Sequence, residues 1–172
     1  MEKQICYLCH KLKATLCCGL CTESICKSCA QFLNDDSFAF MKKVPTQLSH
    51  TTYCEPCFHN EVEPELAAYA QTLERAKNIL VFSKTQSKET RKIKRTEDPV
   101  RVIDCPDHDE TILRLAFFAA QGNYNAIVDM ELVSEKVKNG SYQTSKWAGV
   151  AVPAQVNDAK LIKDRSSWSD PN

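Results

Sequence analysis

Four cysteine pairs carry the strongest chemical signal in this chain: Cys6-x-x-Cys9, Cys18-x-x-Cys21, Cys26-x-x-Cys29 and Cys54-x-x-Cys57. Two thiolates three residues apart can point at one ion when the backbone turns tightly between them. Two such pairs complete a tetrahedral all-thiolate site with Zn–S distances near about 2.3 Å. Four pairs therefore predict two zinc ions per chain. The gaps between successive pairs are eight, four and twenty-four residues. The four-residue gap makes it hard for the second and third pairs to close on one ion while the outer pairs find each other. The spacing thus predicts an interleaved cross-brace, with Cys6, Cys9, Cys26 and Cys29 on one zinc and Cys18, Cys21, Cys54 and Cys57 on the other. Cys17 competes with Cys18 for its place in this register, although the Cys-x-x-Cys spacing favours Cys18. Otherwise Cys17 reads as a small buried hydrophobe or a reserve thiol.

A closed site of four thiolates offers no open position for water, and its metal contributes folding energy rather than catalysis. A second constellation, "DCPDHDE", places Cys105 and His108 among acids, where a further soft-metal site or a Cys/His pair is conceivable. A nucleophile also needs an oriented base and an oxyanion site, neither of which sequence supplies. Asp107 and Glu110 have a competing explanation as a helix start, and Cys105 as the end of a strand.

The elements that position these groups fall into two parts, because nine of the ten cysteines lie between Cys6 and Cys57. Lys plus Arg and Asp plus Glu both number 22 in the 172 residues, so no global charge points to nucleic acid or membrane. The opening "MEKQICYLCHK" has no apolar core of signal-peptide length, and no later run approaches the roughly 20 apolar residues that span a bilayer. The expectation is a cytoplasmic chain, where clustered cysteines bind metal more often than they form disulfides.

The expected fold class is α+β: a small two-zinc cross-brace finger over 1–62, a linking helix over 63–78, a βαββ domain over 79–156 and a disordered tail over 157–172. "EVEPELAAYAQTLERAKNIL" repeats Leu66, Ala67, Tyr69, Ala70, Leu73, Ala76 and Leu80 at helical spacing. "ILVFS" reads as a short strand. The following "KTQSKETRKIKRTEDP" is a basic run without aromatic residues to stack on bases, hence a solvated loop that argues against nucleic acid as a partner. "VRVI" reads as a strand, and a helix over 108–121 follows, capped by Asp107 and Gly122, with Ile112, Leu113, Ala116, Phe117 and Ala120 as its apolar stripe. "AIVDMELV" alternates, so Ala126, Val128, Met130 and Leu132 are expected on one face; Asn139-Gly140 is a hairpin turn leading into a strand from Tyr142 to Val152. Leu161, Ile162 and Trp168 are apolar positions at which the tail could dock locally.

The stretches "CGLCTESICKSC" and "YCEPCFHNEV" resemble the FYVE zinc-finger family over about the first 65 residues. RING and PHD fingers share the cross-brace but usually place a histidine among the ligands, and a B-box-like arrangement would recruit His50 or His59. The basic run with which FYVE domains read phosphatidylinositol 3-phosphate is replaced by "KATLCCGL", which argues against that lipid as a ligand. Further along, "LAFFAAQGNYNAIVDMEL" followed by "WAGVAV" resembles the YbjQ-like and RcsF-like families of bacterial domains, carried by Ala119, Ala120, Gly122, Asn125, Ala126, Ile127, Val128, Gly149, Ala151 and Val152. That resemblance implies self-association. Together these readings imply a non-enzymatic, zinc-binding interaction or scaffold protein that forms a homo-oligomer and meets a protein partner. The alternatives are a peripheral adaptor using Lys42, Lys43 and the basic run from Lys84 to Arg95 on anionic lipid, and a metal-handling or thiol-redox protein using Cys105 or labile finger thiols.

Overall fold

A computed structural model of the protein describes residues 4–34, 38–140 and 142–157. The expected tail, with Leu161, Ile162 and Trp168, lies outside these residues. The fold is α+β, and the chain divides into two compact units, one ending at Gln71 and the other beginning at Thr72.

The first unit is built from short hairpins. An isolated bridge between Gln4 and Ala14 closes the first, and β1 (Leu16–Cys17) pairs antiparallel with β2 (Ser24–Ile25) to close the second. Each carries one Cys-x-x-Cys at its tip. β3 (Ala30–Phe32) pairs antiparallel with β4 (Thr52–Cys54), matching Ala30 to Cys54, so the two later cysteine pairs become neighbours despite their separation in sequence. Ile25, Leu48, Tyr53 and Val62 are fully buried between these pieces. The Tyr53 hydroxyl donates to the His50 carbonyl at 2.7 Å, which satisfies the one polar atom of the largest side chain in that core.

The helical run starts earlier than the repeat of apolar residues suggests. α1 (Glu55–Cys57) begins at the last cysteine pair, with Cys54 as N-cap and a proline in its first turn, and α2 (Glu63–Lys77) completes the run. Between them Phe58–Val62 forms a wider π turn in which the Glu63 N–H reaches back to the Phe58 carbonyl. Pro64 follows at once. It has no N–H to donate and its ring crowds the preceding turn; widening that turn lets the helix pass through the proline. The stripe that is covered runs through Val62, Leu66, Tyr69, Leu73 and Ala76, while Ala67 and Ala70 are exposed.

In the second unit β5 (Leu80–Ser83), β6 (Val100–Cys105), β7 (Ala126–Asn139) and β8 (Tyr142–Ala154) form one sheet in the order β5-β7-β8-β6, with α3 (His108–Gln121) between β6 and β7 in sequence. The βαββ order holds from β6 onward, and β5 joins the same sheet by pairing parallel to β7. Asp107 accepts from the Glu110 N–H at 2.7 Å, but the Glu110 carboxylate turns to Arg114. Gly122 is the C-cap with a right-handed φ of −80°; the left-handed residue is Asn123 at 61°. Gly122 is required for another reason: a Cβ there would lie 2.9 Å from the Tyr124 ring. Thr111, Leu115 and Ala119 are buried along with Ala116, Phe117 and Ala120, so the helix is covered over a wider arc than the stripe suggests.

The expectation that Ala126, Val128, Met130 and Leu132 share a face is corrected by a β-bulge. Val128 pairs with Val152 and Glu131 with Val150, so β7 spends one extra residue, and Asp129 sits there at φ 51°. The extra residue reverses the inside–outside phase. Before the bulge, Ala126 and Val128 pack with Leu80, Phe82, Ile93, Ala154 and Val156. Beyond it, Leu132 lies over Gly149 beside Leu115 and Thr111 of α3, on the opposite face. β6 repeats the device, with a register shift between Val102 and Cys105 and Asp104 at φ 56°. Aspartate tolerates this left-handed conformation better than most side-chain-bearing residues, and both carboxylates are used: Asp129 by Arg95 and Asp104 by Lys146. The hairpin turn is shifted by one residue, since Asn139 pairs with Tyr142 and Gly140 leads the turn at φ 64°.

Candidate metal centre

The backbone prepares the two cysteine sets in the same way. In the first knuckle the His10 N–H donates to the Cys6 carbonyl at 2.9 Å and the Cys6 N–H to the Lys11 carbonyl at 2.9 Å. In the second the Thr22 N–H donates to Cys18 and the Cys18 N–H to Glu23, both at 3.0 Å. His10 and Thr22, each just after a cysteine, take left-handed φ values of 55° and 62° to close these turns. The residue after the first cysteine then ties its knuckle to the incoming strand: Tyr7 donates to the Ser24 carbonyl at 2.8 Å and Gly19 to Thr52 at 2.9 Å. Those strands lead to Cys26 and Cys54, whose own N–H groups point at the sulfurs of Cys6 and Cys18.

The outcome is two groups of four sulfurs, Cys6, Cys9, Cys26 and Cys29 in one and Cys18, Cys21, Cys54 and Cys57 in the other, each with all ligand atoms within 4.8 Å of one another. These are the two interleaved sets that the spacing proposes. Cys18, buried, belongs to the second group; Cys17 is exposed on β1 and belongs to neither. The Cys9 and Cys26 sulfurs are 3.8 Å apart and those of Cys21 and Cys54 are 3.7 Å apart. A tetrahedron with metal–sulfur bonds of about 2.3 Å has edges of about 3.8 Å. That edge matches the Cys9–Cys26 and Cys21–Cys54 separations, whereas a disulfide needs about 2.05 Å.

Electrostatics give the same answer. The Cys26 thiol is drawn down to about 6, first by the Ser28 hydroxyl at its sulfur. Burial opposes ionisation of Cys18, yet the N–H groups of Cys21, Cys54 and Leu20 together bring it to about 6. Backbone donors, chiefly Cys9, lower Cys6 as well. Their neighbours go the other way: Cys29 is pushed up to about 12, first by the Cys26 sulfur, and burial leads the upward shift of Cys54 and Cys57. N–H donors stabilise a first thiolate, and adding further anions within a few ångströms is prohibitive unless a cation sits among them.

The other candidates are placed differently. Cys105 is fully buried, turned inward by the β6 bulge, with its thiol over the Ile103 carbonyl at 3.7 Å. His108 is half-exposed, bonded to Asp109 at 2.9 Å and edge-on to Trp147 at 5.3 Å. Among the described residues only the two cysteine sets gather three or more Cys, His, Asp or Glu ligand atoms. His50 belongs to neither set and packs its ring where a Cβ on Gly19 would come within 2.3 Å. His59 pairs with Glu63 at 2.6 Å. Sequence reasoning missed the supporting donors, although Ser28 between Cys26 and Cys29 was visible as a hydroxyl inside a ligand pair. No helix among the described residues is long and apolar enough to cross a membrane.

Comparison with known proteins found no matching family model, no matching curated protein and no matching solved structure.

Proposed function

We propose that the two cysteine sets each hold a structural zinc ion and that the chain is a non-enzymatic interaction or scaffold protein, with a FYVE-like finger lacking the family's lipid-reading run. The observation that carries this reading is the pair of four-sulfur groups, each with all ligand atoms within 4.8 Å of one another and with matching N–H support. Zinc is favoured over harder ions because every donor is a thiolate. With four protein ligands the metal has no free position for substrate, so its role is to hold the finger folded. Ile5, Tyr7, Leu12 and Phe32 are large apolar side chains left more than half exposed on the same small unit, as a docking module requires. Self-association of the second unit, implied by its YbjQ-like features, is supported by its edge strand β6, which has no strand on its outer side among the described residues and displays Ile103 at 69 % exposure.

Native mass spectrometry of the intact protein, with elemental analysis, tests both parts. Two zinc ions per chain in a closed oligomer are expected. One metal ion, or a metal-free chain containing disulfides, overturns the cross-brace; a monomer at every concentration overturns the self-association.

A further inference from the structure

The basic run after β5 has its charges sorted by the fold. Lys84 pairs with Glu131, and Arg95 makes a two-pronged pair with Asp129 while its remaining donors go to Thr90 and the Ile93 carbonyl. Thr90 is fully buried and Ile93 is inserted into the apolar cluster beside β5 and β7. The segment is therefore anchored at its middle and end, and what lies between the anchors is held outward: Lys88, Arg91, Lys92 and Lys94 are exposed and have no ion-pair partner among the described residues. These four line an open groove of about 720 Å³, opposed by a single lining carboxylate, Glu89.

The far side of the groove is also fixed. Asn125 bonds both the N–H and the carbonyl of Val156, at 2.7 and 2.8 Å, which holds Gln155, Val156 and Asn157 as a wall. Tyr124 lines the groove, and its hydroxyl is engaged by Glu97. The basic run itself contains no aromatic residue, so its sequence argues against base stacking; the fold supplies a ring from the other end of α3.

We infer that this groove binds single-stranded nucleic acid, with phosphates against Lys88, Arg91, Lys92 and Lys94 and a base on the Tyr124 ring. The combination of a cationic groove and an aromatic platform is what sequence-tolerant strand binding uses. Four exposed cations that line one groove, with no ion-pair partner among the described residues, make a local positive field in a chain of zero net charge, which favours a polyanion. A lipid surface would be met by a flat or convex patch; here the cations line a concavity of about 720 Å³.

The test is fluorescence anisotropy of a labelled oligouridine with the full-length, zinc-loaded protein. Binding is expected with a dissociation constant on the order of 10⁻⁵ M, weakening about 50-fold between about 50 and 200 mM salt if four phosphates are neutralised. Combining Arg91→Gln, Lys92→Gln and Lys94→Gln is expected to cost at least about tenfold in affinity and to flatten the salt dependence. Tyr124→Leu is expected to cost about tenfold without changing the salt slope. Circular dichroism confirms that each variant is folded. Absence of salt-dependent binding, or undiminished binding by the triple variant, overturns the inference. Displacement by ATP as effective per phosphate as by unlabelled strand assigns the groove to a free nucleotide and overturns the strand reading, and stronger binding to anionic vesicles than to the strand overturns it in favour of lipid.

Discussion

The two units bury their interiors by different means. Up to Gln71 the fully buried large side chains are Tyr53, Ile25, Leu48 and Val62, and the cysteines Cys6 and Cys18 stand beside them in the interior. From Thr72 onward Phe117, Leu115, Ile127 and Val128 are fully buried between a four-stranded sheet, a helix and an anchored loop. Strands of two or three residues cannot hold a sheet on their own. The first unit therefore has two groups of four cysteines that could hold metal ions where strand pairing is scant, whereas the sheet unit depends on apolar area and on two aspartates that steer its strands.

The largest expected effect separating the two follows from the zinc ions proposed above. A strong chelator is expected to abolish amide protection over residues 4–34 and 38–57 and to leave β6, α3, β7 and β8 protected, because structural zinc contributes roughly 10 to 16 kcal/mol in zinc-finger peptides. Loss of protection in both units together would show that the sheet unit depends on the metal as well. Next in size, Phe117→Ala is expected to destabilise the sheet unit by about 3–5 kcal/mol with metal content unchanged, read by thermal unfolding beside elemental analysis.

Asp129→Asn sharpens the picture further, with a loss of about 1 kcal/mol from a partly exposed charged pair. Arg95 lowers the Asp129 pKa below its ordinary 3.8, so the pair's contribution is complete above that value and disappears as pH falls through the folded value. Wild-type protein should weaken in its sheet unit below about pH 4, and the Asn variant should weaken less, in urea titrations at successive pH values. The smallest effect is expected of Cys17→Ser, with metal content intact and stability within about 0.5 kcal/mol; Cys18→Ser, by contrast, should lose one metal equivalent.

How much of this was legible in the sequence follows from the range of the forces involved. The knuckles are local, so eight cysteines at fixed spacing revealed their own grouping, and Asp107 revealed the start of α3 because an N-cap acts three residues away. The bulges were not legible. Asp129 in "AIVDMELV" looks like the polar half of an alternating strand, and only its pairing with β8 and with Arg95 makes it the residue at which β7 changes face. The parallel seat of β5 beside β7 and the approach of Tyr124 to the basic loop are likewise long-range outcomes, with no periodicity to announce them. The π turn was half legible: Pro64 was visible, but the same residue would also suit the first turn of a helix.

The interleaving of the two cysteine sets has a consequence in time. The first set is complete once Cys29 has been synthesised, while the second begins with Cys18 and waits for Cys57, twenty-eight residues after Cys29. A chain emerging from the ribosome at about 5–20 residues per second therefore holds Cys18 and Cys21 exposed on an otherwise finished knuckle for about one to six seconds. During that interval the half-made site is a two-thiolate ligand open to the wrong metal or to an oxidant, and closing it depends on β4 pairing with β3 as soon as it appears.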